Sequence, residues 1–198
     1  FKDYLVISER SKGLSQIHIL KNADHSSHYL AFDEPTYAAG IMSTPDYLSR
    51  VIRFNYTSLT TPSTVFDYDM QTREKKLMKQ QEVLGGFNAS NYVAERINAT
   101  SADGTLIPVS LVYRKGYKKD GVSPLLLYGY GSYGNTIDAS FSSVRLSLLD
   151  RGFCFAIAHI RGGQEMGRYW YEDGKMMKKK NSFTDFIACA EFLVKEKY

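Results

Sequence analysis

Two short apolar runs, separated by one helical segment, constrain the fold of the second half of this chain. Residues 125–130 and 153–159 are continuous apolar stretches, which is typical of strands covered on both faces of a sheet. Between them, residues 140–150 show helical spacing and stop at Gly152, a residue suited to the position just after a helix. Strand, helix and strand in this order predict a parallel pair joined by a crossover, as in a doubly wound α/β sheet.

The remaining segments of this half fit the same architecture. Residues 92–100 and 106–114 read as two strands around Asp103-Gly104, a dipeptide that favours a hairpin turn. Residues 182–198 form the clearest helical pattern, with Ser182 and Asp185 in the positions of a capping box. The apolar stripe of this predicted helix consists of Phe183, Phe186, Ile187, Ala190, Leu193 and Val194.

The first 84 residues follow a different pattern. Aromatic or alternating stretches are short and are separated by turn-forming residues, with no helical period between them; they cover residues 1–9, 15–20, 28–32, 48–56 and 63–69, and a further strand follows the polar turn after residue 69. This spacing predicts an all-β sandwich, barrel or propeller. Because Gly85-Gly86 breaks the pattern, we divide the chain into a β domain (1–84), a linker (85–91) and an α/β domain (92–198).

Composition excludes several partner classes. The net charge of +4 comes with scattered lysines, which disfavours nucleic-acid binding, and no apolar run approaches the roughly 18 residues that span a membrane. Cys154 and Cys189 lie in apolar runs, which indicates buried thiols and not a metal or redox site. We therefore expect no metal, no cofactor and, without a leader pattern at the start, a cytoplasmic location; the oligomeric state is not predicted.

Ser132 lies among glycines after the first apolar run, but its surroundings do not match a nucleophile elbow. That motif is G-x-S-x-G, whereas Tyr130 stands two residues before this serine. A nucleophilic serine also needs a histidine base that an acid orients. Three of the four histidines fall in the β half, and His159 ends a buried strand, where a hydrogen-bonding role is favoured. Ser132 is therefore not predicted to be a nucleophile.

Tyr130 is the stronger candidate in this stretch. A phenol at the carboxyl end of a strand can donate a hydrogen bond to a developing alkoxide, and Gly129 and Gly131 would keep side chains away from a substrate. Equally, Tyr128, Tyr130 and Tyr133 are typical of an aromatic cluster on a sheet. The residues alone leave both interpretations open.

A second glycine-rich loop follows the second apolar run. Gly162 and Gly163 place a tight loop at the carboxyl edge of the sheet, where α/β proteins bind ligands, but neither phosphate-binding glycine pattern occurs. We interpret Arg161 and Glu165 as a buried ion pair that shapes this loop. Residues 178–180, three lysines, are interpreted as a solvated turn before the helix.

The sequence resembles the prolyl oligopeptidase family of serine peptidases. The resemblance rests on PLLLYGYGSYG (124–134), RGFCFAIAHIRGGQEMGRYWYEDGK (151–175) and NSFTDFIACAEFLVKEKY (181–198); RFNYTSLTTPSTVFDYD (53–69) and VSLVYRKG (109–116) are similar to the oligopeptidase B branch. The resemblance implies the last blades of a β-propeller for residues 1–84 and the first part of an α/β-hydrolase domain for the rest. It also implies short peptides as substrates, cleaved after Arg or Lys.

The resemblance further implies residue roles. Tyr130 falls on the tyrosine whose hydroxyl contributes to the oxyanion hole of the family, and Tyr133 falls where a substrate-contacting phenylalanine is usual. Ser132 stands where glycine is common, which weakens a strictly proline-specific interpretation. The family's Ser, Asp and His follow the segment matched here, so we expect these 198 residues to be a piece of a longer enzyme, inactive alone. Alternatives are an esterase-like α/β-hydrolase and a catalytically dead propeller–hydrolase interaction protein.

Overall fold

The first half of the chain forms two antiparallel β-sheets. In the computed structural model, which describes residues 1–198, the strands of this half are β1 (Tyr4–Ser11), β2 (Leu14–Lys21), β3 (Ser27–Tyr29), β4 (Tyr37–Ile41), β5 (Val51–Ser58), β6 (Thr64–Asp69) and β7 (Lys75–Gln80). The first sheet has the order β1-β2-β3 and the second the order β4-β5-β6-β7. The sequence pattern predicts all of these strands except β4.

The two sheets share one apolar core. Alternate residues point inward, so that Ile17 and Ile19 of β2 and Ile52 and Phe54 of β5 are at most 1% exposed. All four belong to a single cluster that spans both sheets. The sheets therefore pack against each other as neighbouring layers of one all-β unit, as predicted.

The second half contains one four-stranded sheet. Its strands are β8 (Tyr92–Thr100), β9 (Leu106–Arg114), β10 (Leu125–Tyr128) and β11 (Cys154–Ala158), in the order β10-β11-β9-β8. β8 and β9 form the expected antiparallel hairpin. β10 and β11 are parallel and are connected through the helix α1 (Ser143–Leu149), so the predicted crossover is present.

Helices cover both faces of this sheet. α1 packs through Leu149 into a cluster with Val112 of β9, whereas Cys189 of α3 (Lys180–Lys195) shares a different cluster with Leu111 of β9. Since adjacent strand residues point to opposite faces, the two helices lie on opposite sides of the sheet, which confirms the doubly wound arrangement. A short helix, α2 (Arg168–Glu172), precedes α3. None of the helices is long and apolar enough to cross a membrane.

Strand β10 is paired with β11 within residues 1–198, and its residues alternate in exposure. Leu125 and Leu127 pack against the core of this half, whereas Leu126 is 37% exposed and Tyr128 is 43% exposed. The strand ends at Tyr128. Gly129 and Tyr130 therefore belong to the loop that follows it.

Helix α3 differs from the prediction in its start and in its buried face. It begins at Lys180, and no side chain caps it, so Ser182 and Asp185 do not form a capping box; both side chains are buried inside the helix's first turns. Phe183 and Ile187, which the predicted stripe assigns to the core, are more than half exposed. Within residues 1–198 the apolar residues of α3 are thus divided between a core face and a face that lines the cleft beside Tyr130.

Polar side chains connect the two halves of the molecule. Arg10 of β1 donates from Nη2 to Oδ1 of Asp138 at 2.7 Å. Arg96 of β8 donates from Nη2 to the carbonyl oxygen of Lys12, in the β1–β2 turn, at 2.8 Å. An arginine side chain from each half therefore holds the first sheet against the second half.

The two cysteines are structural. Cys154 and Cys189 are free and buried, and burial raises the pKa of each thiol to about 12. Both thiols are protonated at neutral pH, which confirms the interpretation from the sequence.

Candidate active site

Tyr130 lies in the loop that leaves the carboxyl end of β10. Its side chain is 44% exposed and lines a cleft of about 300 Å³ together with Ser132, Ile160 and the first turns of α3. The phenol O–H is a directional donor, and its exposure lets a group that enters this cleft reach it. The structure thus places Tyr130 where a donor is accessible at the edge of the sheet.

Tyr133 is at the tip of the same loop. It is 83% exposed and has a φ of 57°, an uncommon conformation for an aromatic residue. The backbone turns back directly after it, and the N–H of Gly134 donates to the carbonyl oxygen of Gly162 at 2.9 Å. Tyr133 is therefore open to contact by a ligand.

The glycines next to Tyr130 make room for the chain itself. A Cβ on Gly129 would lie 2.9 Å from the ring of Phe186, and a Cβ on Gly131 would lie 2.6 Å from Ile160. Gly162 has a φ of 102°, and a Cβ there would overlap the carbonyl oxygen of Gly131. These three glycines let the loop after β10, the loop after β11 and helix α3 approach one another closely.

Arg161 pairs with two aspartates and not with Glu165, so the predicted ion pair is wrong. Its Nε and Nη2 donate to the two carboxylate oxygens of Asp185 at 2.8 and 2.6 Å, and its Nη1 donates to Asp103 at 2.7 Å. The hydrogen bonds to Asp185 raise the pKa of Arg161. In turn, the hydrogen bond from Arg161 lowers the pKa of Asp103 to about 2. Spacing along the chain suggested Glu165, but α3 crosses the loop and brings Asp185 closer.

Glu165 ties two loops together instead. Its Oε1 accepts the backbone N–H of Ile137 at 2.9 Å, while its Oε2 is buried without a partner. Burial raises the pKa of this carboxyl. Gly163 lies against the same carboxylate, and a Cβ there would also lie 2.9 Å from the carbonyl oxygen of Asn135. Glu165 therefore fixes the loop after β11 to the segment between β10 and α1.

Lys179 is a site residue that the sequence analysis missed. It lies between two exposed lysines, but its own side chain is half-buried. Its Nζ donates to the carbonyl oxygen of Gly131, to Ser132 Oγ at 2.7 Å and to Ser182 Oγ at 3.1 Å. The interpretation of all three lysines as a solvated turn is therefore wrong for the middle one. No pattern in the sequence indicates this contact, because it depends on how two distant loops pack.

Ser110, and not Ser132, is hydrogen bonded to a histidine. Its Oγ lies 2.8 Å from His159 Nε2 and 2.6 Å from Thr36 Oγ1. All three side chains are at most 3% exposed, and burial lowers the pKa of His159 to about 3. His159 is thus a neutral, buried hydrogen-bonding group at a strand end, as expected, and Ser110 connects it to Thr36 in the other half. No group of three or more His, Cys, Asp or Glu side chains is arranged to hold a metal ion.

A doubly wound sheet with an accessible phenol at the end of β10, docked against stacked antiparallel sheets, defines an α/β-hydrolase scaffold joined to a propeller-type domain. Comparison with protein families agrees. Residues 139–198 match the model described as "Prolyl oligopeptidase family", and residues 1–81 match "Prolyl oligopeptidase, N-terminal beta-propeller domain". The chain belongs to the prolyl oligopeptidase family, which confirms the resemblance and the predicted fold class.

Known relatives match the chain from end to end. Dipeptidyl aminopeptidase BI from Pseudoxanthomonas mexicana is 49% identical over 199 residues, which cover 100% of this chain and 27% of the relative. Protease 2 from Moraxella lacunata is 42% identical over 198 residues, with 100% and 28% covered. The structure of oligopeptidase B from Trypanosoma brucei, in a closed form with covalently bound antipain, has a TM-score of 0.90 at 42% identity. The match covers 100% of this chain and 29% of the oligopeptidase B chain. The chain spans less than a third of these relatives, and all three are peptidases.

Proposed function

We propose that the protein to which these residues belong is a serine oligopeptidase that hydrolyses peptide bonds in short peptides. The relatives are peptidases, and the solved oligopeptidase B carries covalently bound antipain. The all-β half is docked on the hydrolase half through Arg10 and Arg96. This docking supports a restriction to short peptides, because a substrate would have to enter the gap between the two halves.

The observation that carries the proposal is the position of Tyr130. When a nucleophile attacks a peptide carbonyl, negative charge develops on the carbonyl oxygen, and a preorganised donor stabilises that charge more than it stabilises the ground state. The Tyr130 hydroxyl, exposed in a cleft at the carboxyl end of β10, is suited to this role. We assign it as one oxyanion-hole donor and Tyr133 as a substrate contact.

The nucleophile, the base and the acid are assigned to residues outside 1–198. Ser132 receives its hydrogen bond from Lys179 and has no histidine partner. Ser110 has a histidine partner but is fully buried. Neither serine combines access to substrate with an oriented base, which a serine nucleophile needs.

The substitution Tyr130→Phe in the whole protein tests the proposal. We expect kcat for a short peptide amide to fall about 100- to 1,000-fold, the effect of losing one oxyanion-hole donor, with little change in KM. Tyr128→Phe is the matched control, because Tyr128 is a similarly exposed tyrosine two residues earlier, on β10 itself. A Tyr130→Phe variant that loses less than about tenfold in kcat would remove Tyr130 from the oxyanion hole.

The same assay addresses the substrate. We propose cleavage after Arg or Lys, which is supported by the resemblance to the oligopeptidase B branch. Peptide amides with Arg, Lys, Pro or Ala before the scissile bond distinguish this preference from a preference for proline. Each amide is tested with a free and with a blocked amino terminus, because an enzyme that removes dipeptides from the amino terminus would act only on the free form. Acyl esters of the same residues test the esterase alternative, and turnover of esters without turnover of amides would overturn the proposal.

A further inference from the structure

The amine of Lys179 is held by three oxygen atoms from two parts of the chain. It donates to the carbonyl oxygen of Gly131 and to Ser132 Oγ in the loop after β10, and to Ser182 Oγ in α3. Ser182 Oγ in turn donates to the carbonyl oxygen of Arg161 at 2.5 Å. One side chain thus connects the loop that carries Tyr130 with helix α3 and, through Ser182, with the loop after β11.

This arrangement fits an ammonium group and not a free base. An ammonium has three hydrogens to donate and no lone pair, and Lys179 has three acceptors around it. A lysine that activates Ser132 would have to accept the proton of that hydroxyl. With all three directions used for donation, Lys179 acts as a fixed donor.

The loop that Lys179 contacts follows the end of β10, so regular strand pairing no longer holds it. Its other restraints are a hydrogen bond from Ser182 Oγ to the Gly131 carbonyl oxygen at 3.2 Å and one from the Gly134 N–H to the Gly162 carbonyl oxygen at 2.9 Å. The loop also contains Tyr133 at a φ of 57°, a conformation that persists only where the surroundings hold it. Gly131 and Ser132 directly follow Tyr130, so a shift of these two residues moves the backbone that carries the phenol.

We propose that Lys179 is a positioning residue that acts through Tyr130: by fixing the Gly131 carbonyl and the Ser132 hydroxyl, it holds the Tyr130 hydroxyl where the oxyanion forms. The inference rests on the proposed role of Tyr130. It assigns a function to a residue that is not itself in contact with the reacting atoms. Its mechanism is orientation, for which a displacement of about 1 Å can lower a rate by about 100-fold.

A double-mutant cycle in the whole protein tests this role, with kcat and KM measured for Tyr130→Phe, Lys179→Met and the double variant. We expect Lys179→Met alone to lower kcat at least about tenfold with KM within about twofold. In the Tyr130→Phe background the same change should lower kcat less than about threefold, because there is no longer a phenol donor to position. Lys178→Met is the matched control, since Lys178 is an exposed neighbour that pairs with Asp173, and it should keep the wild-type kcat.

The outcomes separate this inference from the proposed function. An equal loss from Lys179→Met in both backgrounds, or a wild-type kcat in the single variant, overturns the positioning role even when Tyr130→Phe is strongly impaired. A near-normal Tyr130→Phe variant contradicts the proposed function, and a large loss in Lys179→Met beside it overturns both. If Lys179→Met does not fold, Ser132→Ala replaces it in the cycle, because this substitution removes one of the three acceptors of Lys179. We expect Ser132→Ala to lower kcat by a smaller factor, and this loss should also disappear in the Tyr130→Phe background.

Discussion

Arg161 is a buried charge near the candidate site, and the loss of either of its two carboxylate partners should lower the free energy of unfolding by a different amount. Asp185 is fully buried, so Asp185→Ala leaves the guanidinium without its main partner and should cost about 3–5 kcal/mol in the free energy of unfolding. The side chain of Asp103 is 48% exposed, and solvent screening limits the cost of Asp103→Ala to about 1 kcal/mol or less. Urea unfolding of the two variants measures the difference, and equal losses would contradict it.

The contribution of Asp103 should also depend on pH. Its pKa is about 2 in the folded protein, below its ordinary value of 3.8, so the folded state binds this proton less readily than the unfolded state. The stability that Asp103 provides is therefore complete above about pH 5 and is lost progressively as the pH falls through 2. The difference in unfolding free energy between wild type and Asp103→Ala should shrink over that interval, and a difference at pH 2 as large as that at pH 5 would argue against the pairing.

At the residue scale, the sequence identified candidate site residues but not the residues that they contact. Arg161, Gly162 and Tyr130 were recognisable from their place after apolar strands, because strand ends are where α/β proteins bind ligands. The partner of Arg161 was not recognisable. Asp185 matches the pattern of a cap three residues after Ser182, but residues three apart on a helix also share a face, and here that face is turned inward onto the loop.

At the scale of elements, the contact between the loops after β10 and β11 depends on Gly162. Gly162→Ala combines an unfavourable φ of 102° with overlap against the Gly131 carbonyl oxygen. Gly152, just after α1, has a similar φ of 86°, but no atom lies within 4 Å of the point that a Cβ would occupy there. We expect Gly152→Ala to cost about 1–2 kcal/mol from backbone conformation alone, and Gly162→Ala to cost at least about 1–3 kcal/mol more from overpacking.

Chemical denaturation measures this difference, and activity provides a second readout. Because Gly131 directly follows Tyr130, a displaced Gly131 should also lower kcat in Gly162→Ala, whereas Gly152→Ala should keep its kcat. Equal destabilisation by the two substitutions would show that the two loops can separate without cost.

Elements were predictable where the local pattern and the tertiary environment agree. β8 and β9 occupy the predicted residues because an Asp-Gly turn and two long runs specify a hairpin locally. β4, with the sequence YAAGI, has little strand propensity and is a strand because it pairs with β5. The face of α3 that lines the cleft carries Phe183 and Ile187, and periodicity cannot distinguish such a face from the core face when both are apolar.

At the scale of the whole molecule, the sequence predicted two halves of different architecture but not how they meet. The division follows from strand spacing before residue 85 and strand–helix alternation after residue 91. The contacts between the two halves join residues far apart in sequence. One is the ion pair of Arg10 and Asp138, and another is the buried series of hydrogen bonds from Thr36 through Ser110 to His159. Local patterns carry no information about such pairs.

The pair of Arg10 and Asp138 should control how readily the two halves separate. Their side chains are 26% and 36% exposed, so the pair is partly shielded from solvent and its coupling should be about 0.5–1 kcal/mol. Residues 81–88 connect β7 to the helical turn at Ala89–Asn91. Arg10→Met and Asp138→Asn should each increase the rate at which a protease of low specificity cleaves this segment, by about two- to fivefold if cleavage follows the open population. The double variant should be cleaved no faster than the faster single variant, because both changes remove the same contact.

Arg53→Met is the control, since Arg53 pairs with Asp67 inside one sheet, and its cleavage rate should match wild type. Additive effects of the two substitutions, or an equal increase in the control, would show that this ion pair does not hold the halves together.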